Sequence, residues 1–359
     1  MDIGWLPLAA FILTALGWIS REIWRWRKAK RLATEDATKT LNQKKTLLEE
    51  MLSKIEDVND KKNLLAQLEE ANAALLGLYA QRLRRTLKDA GLPPEEALIA
   101  DGRSHLQPQQ VNNLKKIIAE VKSLPAFPPT KDFLVLGDAY YYTEQYQDAK
   151  NVYDKILNSN PDDPHILHNR GKIYASMGKH IEALADLNRS LEFGPDDPYT
   201  LNSRGATYHN LKKYKEALAD YNRALELKPN DALTLSNRGA TYKRLEEYDK
   251  ALADLNLSLK LRPDFYPAIT NRGSIYEHLK NYDKAICDYT HALEVEPDDP
   301  PTLYDLARLF SIQGKAKDAH DFLRRVIDKD KRFCQVAKTN RDFDNIREDP
   351  RFKKLIESD

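Results

Sequence analysis

Apolar residues in this chain recur with two superimposed periods, and the longer one is the more informative. Gly137, Gly171, Gly205, Gly239 and Gly273 stand 34 residues apart. Each is followed three residues on by a tyrosine (Tyr140, Tyr174, Tyr208, Tyr242, Tyr276) and twelve on by an alanine (Ala149, Ala183, Ala217, Ala251, Ala285). Sixteen residues on comes Tyr153, Leu187, Tyr221, Leu255 or Tyr289, and twenty-four on a proline: Pro161, Pro195, Pro229, Pro263, Pro297. A sixth, degenerate copy runs from Pro301 to Cys334, with Ala307 in place of the glycine and Lys331 in place of the proline. Within each copy the apolar positions step by three and four, which predicts two amphipathic helices per unit. The small residues mark where those helices pass closely, and the proline ends the pair. Asp-Asp-Pro after Pro161, Pro195 and Pro297 supplies turn and N-cap chemistry for the next pair. A period of this length predicts stacked repeats with a shared core.

With this order of Gly, Tyr, Ala, Tyr or Leu, and Pro, residues 131–334 resemble the tetratricopeptide repeat (TPR) family, as six copies: 131–164, 165–198, 199–232, 233–266, 267–300 and 301–334. The resemblance covers more than half of the chain. It implies an all-α fold, an α-solenoid forming a right-handed superhelix of helix pairs, whose first helices line a concave groove. It also implies a role in binding proteins rather than in catalysis.

The remaining segments have patterns of their own. Residues 1–31 hold an uncharged run from Ile3 to Ser20, long enough as a helix to cross most of a bilayer. Trp5, Trp18, Trp24 and Trp26 sit in or beside it, and Arg21, Arg25, Arg27, Lys28, Lys30 and Arg31 follow it. Basic residues after the run, not before it, predict a retained anchor with the N-terminus outside and the repeats in the cytoplasm. In residues 32–90, Leu41, Leu48 and Ile55 form one seam, and Leu64, Leu68, Ala71, Leu75 and Leu78 form another. The registers do not join, so this segment reads either as a coiled-coil stalk or as a helical hairpin. A stalk would make a parallel homodimer through Leu48, Ile55, Leu68 and Leu75. Residues 91–130 form a proline-containing connector with one amphipathic helix from Gln107 to Ser123 that could cap the first repeat. Residues 335–359 supply the C-terminal capping helix, with Phe343, Ile346, Phe352 and Leu355 on its apolar face.

Charge and chemistry change this picture little. Lys plus Arg number 56 against 55 Asp plus Glu, a net charge of +1 that gives no general attraction for nucleic acid. Cys287 and Cys334 form no CxxC pair, and the eight histidines show no HExxH or Cys/His zinc spacing; His165 and His168, three apart on one helix face, read as groove lining rather than as a metal pair. No catalytic set, metal site or cofactor motif emerges, and no enzyme is expected.

Two ladders run through the repeats. Arg170, Arg204, Arg238 and Arg272 precede the glycines, and Asp186, Asp220, Asp254 and Asp288 follow them by fifteen residues. The first copy has Leu136 and Val152 at these places and the sixth has Leu306 and Phe322. Charge therefore occurs at both positions or at neither, which predicts structural ion pairs between the paired helices. The second ladder is Asn169, Asn237 and Asn271, with Asn202 beside the interrupting Ser203. In TPR-bearing glycosyltransferases, asparagines at this place grip the backbone of an extended peptide, as a side chain that both donates and accepts can. By the same resemblance the groove would be lined by Tyr141, His168, Asn169, Lys172, Tyr199, Asn202, His209, Asn237, Arg244, Asn271 and His278. The alternative for the asparagines is hydrogen bonding between helices. The carboxylate clamp of TPR co-chaperones is not expected, because Leu134 and Asp138 stand where it needs lysine and asparagine.

The expected protein is a membrane-anchored TPR scaffold that binds a protein or peptide ligand. A receptor for precursor proteins at a translocation machine and a regulatory subunit of a membrane or envelope enzyme complex are its rivals.

Overall fold

The computed structural model describes residues 35–52, 58–89, 108–122 and 131–357, and their regular structure is helical throughout. These residues fall into two compact units, one ending at Lys179 and one running from His180. Among the described residues no helix is long and apolar enough to cross a membrane. The run from Ile3 to Ser20 lies outside them.

The first unit contains helices α1 (Glu35–Leu52), α2 (Val58–Asp89), α3 (Pro108–Lys122), α4 (Lys131–Tyr142), α5 (Tyr146–Ser159) and α6 (Pro164–Ser176). Helices α1 and α2 pack side by side in opposite directions. Asn42 Nδ2 donates to Tyr79 Oη at 3.0 Å, while Leu48 packs with Leu64 and Ala71. Over the described residues 35–52 and 58–89, these two helices pack on each other as the arms of a hairpin would. Leu48 and Leu75, two residues of the supposed dimer seam, are 1% and 0% exposed within the chain itself. Ile55 lies outside the described residues. One cluster joins Leu75, Leu83 and Leu87 of α2 to Leu114 and Ile118 of α3 and to Val135 and Leu136 of α4. Arg82 Nη1 of α2 donates to Glu120 Oε2 of α3 at 2.7 Å. The hairpin and α3 together thus cover the first repeat helix, where a free solenoid end would leave apolar surface wet.

The second unit contains α7 (His180–Phe193), α8 (Pro198–Asn210), α9 (Tyr214–Leu227), α10 (Ala232–Arg244), α11 (Tyr248–Leu261), α12 (Tyr266–His278), α13 (Tyr282–Val295), α14 (Pro300–Ile312) and α15 (Ala316–Lys329). Helix α16 (Arg332–Thr339), a 3-10 turn (Arg341–Ile346) and α17 (Pro350–Glu357) close its end. The expected capping helix is therefore three short pieces. Phe343, Ile346 and Phe352 are buried in the cluster that holds Leu303, Leu306 and Leu323. Asn345 Nδ2 donates to the carbonyls of Ser311 and Ile312, and so satisfies the carboxyl end of α14.

Four of the repeat glycines, Gly137, Gly205, Gly239 and Gly273, each face a side chain of the paired helix. A Cβ on Gly205 would stand 2.7 Å from Tyr221 Cε1, and one on Gly239 would stand 2.9 Å from Leu255 Cγ. In the first unit Gly137 meets Tyr153 in the same way, 2.7 Å from Cζ. Where the sixth copy carries Ala307, the facing position is Leu323, and both are fully buried. A methyl group is accommodated there opposite a leucine, which trades volume across the contact.

The turn inside each repeat has no counterpart in the sequence pattern. Glu144, Gly178, Lys212, Glu246, Lys280 and Gly314, again 34 residues apart, all have φ between 57° and 74°. Behind each, the next backbone N–H bonds the carbonyl of the repeat's tyrosine, for example Lys213 N to Tyr208 O at 2.9 Å and Glu247 N to Tyr242 O at 2.9 Å. Lys315 N bonds Phe310 O at 2.9 Å in the last copy. This is a left-handed helix C-terminus that satisfies a late carbonyl, and only two of the six copies use glycine for it.

The arginines bind more than the aspartates. Arg204 donates through Nε and Nη2 to Asp220, at 2.8 and 2.7 Å, and through Nη1 to Asn188 Oδ1 at 2.9 Å. Arg238 holds Asp254 and Asn222, and Arg272 holds Asp288 and Asn256, in the same geometry. The aspartate belongs to the same repeat and the asparagine to the second helix of the preceding one. Each guanidinium therefore ties three helices together with its planar fork of donors. Arg170 Nη1 donates to Asp154 Oδ1 at 2.9 Å within the first unit, and Asp186 is buried in the second.

Candidate binding groove

In the second unit the first helices of successive repeats touch directly, α8 against α10 and α10 against α12. They form the inner side of the stacked pairs. Three of the four start on an aspartate cap: Asp197, Asp231 and Asp299 accept from the backbone N–H of Thr200, Thr234 and Thr302. At α12 the cap position is Phe265, whose side chain is buried in the core instead. Capping by aspartate sets the start of each helix, and the 34-residue step then brings equivalent side chains into register.

Across this inner face the asparagines bond sideways. Asn237 Nδ2 donates to Asn202 Oδ1 at 3.0 Å, and Asn271 Oδ1 accepts from Lys243 Nζ at 2.6 Å. Half of each amide is spent on a neighbouring helix. The Nδ2 groups of Asn202 and Asn271 make no hydrogen bond among the described residues. His209 Nδ1 shares a hydrogen with Thr241 Oγ1 at 2.8 Å. Burial lowers the His209 pKa, and the nearby charges of Arg244 and Lys243 lower it further. Arg244 and His278 are exposed, and the His278 ring lies 4.8 Å from that of Tyr248. Tyr199 is less available: its hydroxyl accepts from Lys228 Nζ at 2.9 Å, and the ammonium sits 4.6 Å from its ring centre.

Beside the asparagines lies a pocket of about 570 Å³ bounded by α10, α12 and α14. Lys243, Asn271, Glu277, Asp305 and Arg308 are among the residues that line it. Arg308 donates to Glu277 at 2.8 Å, Asp305 at 2.8 Å and Asp342 at 2.7 Å. Burial opposes its charge, but these three carboxylates hold it firmly ionised. The Asp305 carboxyl is raised by burial, with Arg308 pulling the other way. Lys243 has no such partner. Burial and the charge of Arg244 bring its ammonium down to about 8.

The residues assigned to the groove in the first unit are placed differently. His168 and Lys172 are buried, at 4% and 7% exposure, and Asn169 is half-buried. Lys172 Nζ sits 5.5 Å from the centre of the Tyr141 ring, which packs on Tyr142 and Tyr146. The position equivalent to Lys172 in the copy before is Asp138, 3% exposed, which accepts from Tyr153 Oη at 2.8 Å. Burial raises its carboxyl to about 7, against the pull of Tyr153, Lys172 and Arg84.

Lys243, Glu277, Asp305 and Arg308 do not stand out in the sequence. Lys243 and Glu277 lie four residues after the glycines, as His209 does, and Arg308 lies one after Ala307, as Lys172 does after Gly171. Carrying each of those columns through every copy would have found them.

Tetratricopeptide repeat profiles match residues 134–198, 198–231, 220–253 and 238–303, which together run without a gap through the helix pairs just described. Residues 134–303 are tetratricopeptide repeats. Solved TPR-like structures align with it. PilF of Pseudomonas aeruginosa is 15% identical over 60% of this chain and 95% of its own, with a TM-score of 0.51. PilW, a widely conserved type IV pilus biogenesis factor, is 18% identical over 59% and 94%, with a TM-score of 0.50. A thermophilic TPR protein of Thermus thermophilus is 24% identical over 50% and 98%, with a TM-score of 0.46. At these identities the likeness is one of fold. No curated protein matches this chain.

Proposed function

We propose that this TPR protein is a membrane-anchored scaffold that holds an extended segment of a partner protein along the inner face of its first helices. The observation that carries the reading is that face in the second unit. Its amides keep donors free beside a polar pocket, and it has no continuous floor of leucine and methionine such as an amphipathic helix would need. A backbone held by side-chain amides suits it better. Each contact is worth about 1 kcal/mol net, so affinity comes from several acting together.

A photo-crosslinking residue placed at Arg244 or His278 of the full-length protein in cells should capture a partner that the same residue at the outward Glu226 does not. Replacing Asn237 and Asn271 by alanine should reduce that capture more than tenfold while the folded protein still accumulates. Equal capture from both faces would remove the groove from the reading.

The anchor rests on the uncharged run from Ile3 to Ser20 and its following basic flank. It puts the N-terminus outside and the repeats in the cytoplasm. Full-length protein should stay with membranes through an alkaline carbonate wash, and protein lacking residues 1–31 should not. Release of both would exclude a spanning anchor.

A further inference from the structure

The second unit treats its half-buried cations in two ways. Arg204, Arg238 and Arg272 each face an aspartate, and Arg308 faces three carboxylates. Lys243 reaches into the pocket from the end of α10, and its ammonium bonds only the neutral amide oxygen of Asn271. Among the described residues no carboxylate lies within ion-pair distance of it. A desolvated ammonium held by an amide alone is a poor arrangement for folding, because burial weakens its hydration and nothing of opposite charge replaces it. An anion arriving from outside would replace it.

The surroundings narrow the class of anion. Asn271 Oδ1 is occupied by Lys243, which turns the amide so that its free Nδ2 accompanies the ammonium. The two groups together offer N–H donors to the two oxygens of a carboxylate. Glu277 and Asp305, drawn together by Arg308, line the same pocket, so a phosphate dianion would meet repulsion there. A single carboxylate on an otherwise neutral extended chain carries half that charge and would meet less of it.

We infer that Lys243 and Asn271 form a subsite for one acidic side chain, aspartate or glutamate, of the partner segment. The inference rests on the groove reading above and names the residue type which that groove selects. Lys243 is then the specificity-determining contact, and the asparagines hold the backbone on either side.

The test uses full-length protein and pools of acetylated hexapeptide amides, each pool fixing one residue type. Pools fixing Asp or Glu should bind about tenfold better than those fixing Asn or Gln. That preference should vanish in Lys243→Met, persist in Lys243→Arg, and be untouched in Lys215→Met on the exposed outer helix. Thermal melts of the variants establish that each is folded. Binding without acidic preference, or a preference that survives Lys243→Met, overturns the subsite and leaves the groove standing. Displacement of the acidic pools by millimolar inorganic phosphate more readily than by acetate makes the site a general anion site and overturns the carboxylate assignment. If no pool binds wild type or variants, the groove reading itself fails and the subsite with it.

Discussion

Arg204→Leu should lower the stability of the second unit by about 3–5 kcal/mol, whereas Arg204→Leu combined with Asp220→Val should cost far less. The single change leaves Asp220 buried and stripped of the two donors that now meet it at 2.8 and 2.7 Å. The double change removes the charge along with its partner, as Leu306 and Phe322 already do in the last repeat. Asn188, the third member of the contact, is exposed, so water takes over when the guanidinium goes. Urea unfolding of the wild type, both single variants and the double variant closes the cycle. Additive losses would show that arginine and aspartate do not act as a pair.

Between pH 5 and pH 8.5 the wild type should lose about 2–3 kcal/mol of stability that Asp138→Asn retains. Asp138 titrates at about 7 in the folded protein against 3.8 when free, because burial disfavours its charged form. The folded state therefore binds the proton more tightly than the unfolded chain. Its contribution is complete below the unfolded value and is lost as pH rises through the folded one. Asparagine keeps an acceptor for Tyr153 Oη and cannot ionise. Unfolding curves of the two proteins should diverge toward alkaline pH and run closer in acid. Parallel curves would mean that Asp138 is ionised and solvated.

Much of the repeat architecture could be read in advance because its causes are local and recur. A glycine sixteen residues before Tyr221 or Leu255 announces a close approach of two helices, and an aspartate before Pro198 or Pro300 announces a cap. The left-handed turn was invisible because Glu144, Lys212, Glu246 and Lys280 have no chemical signature for positive φ; only Gly178 and Gly314 do. The seams of residues 32–90 were visible, but a hydrophobic stripe does not say which other stripe will cover it. Leu48 could have met a second chain, and meets Leu64 of its own. The site was the least legible part. The character of Lys243 comes from burial and from Asn271 on the next first helix, neither of which its place at the end of α10 reveals. His168 and Lys172 show the converse: residue types suited to an open groove that are buried here.

The arginine ties also bear on how such an array can grow. Each reaches sixteen residues forward to an aspartate and sixteen back to an asparagine. A tandem duplication of residues 233–266 would give its new arginine the old Asn256, while its new asparagine would serve Arg272. No guanidinium would lack a partner at birth. An insertion of any other length breaks a tie on each side of the junction. The ladder stops where Thr290 and Leu306 replace asparagine and arginine together, so neither is left demanding the other. Gene-level expansion or contraction of this protein by whole 34-residue blocks thus leaves every such tie paired, and the length of the inner face can change without redesign of these contacts.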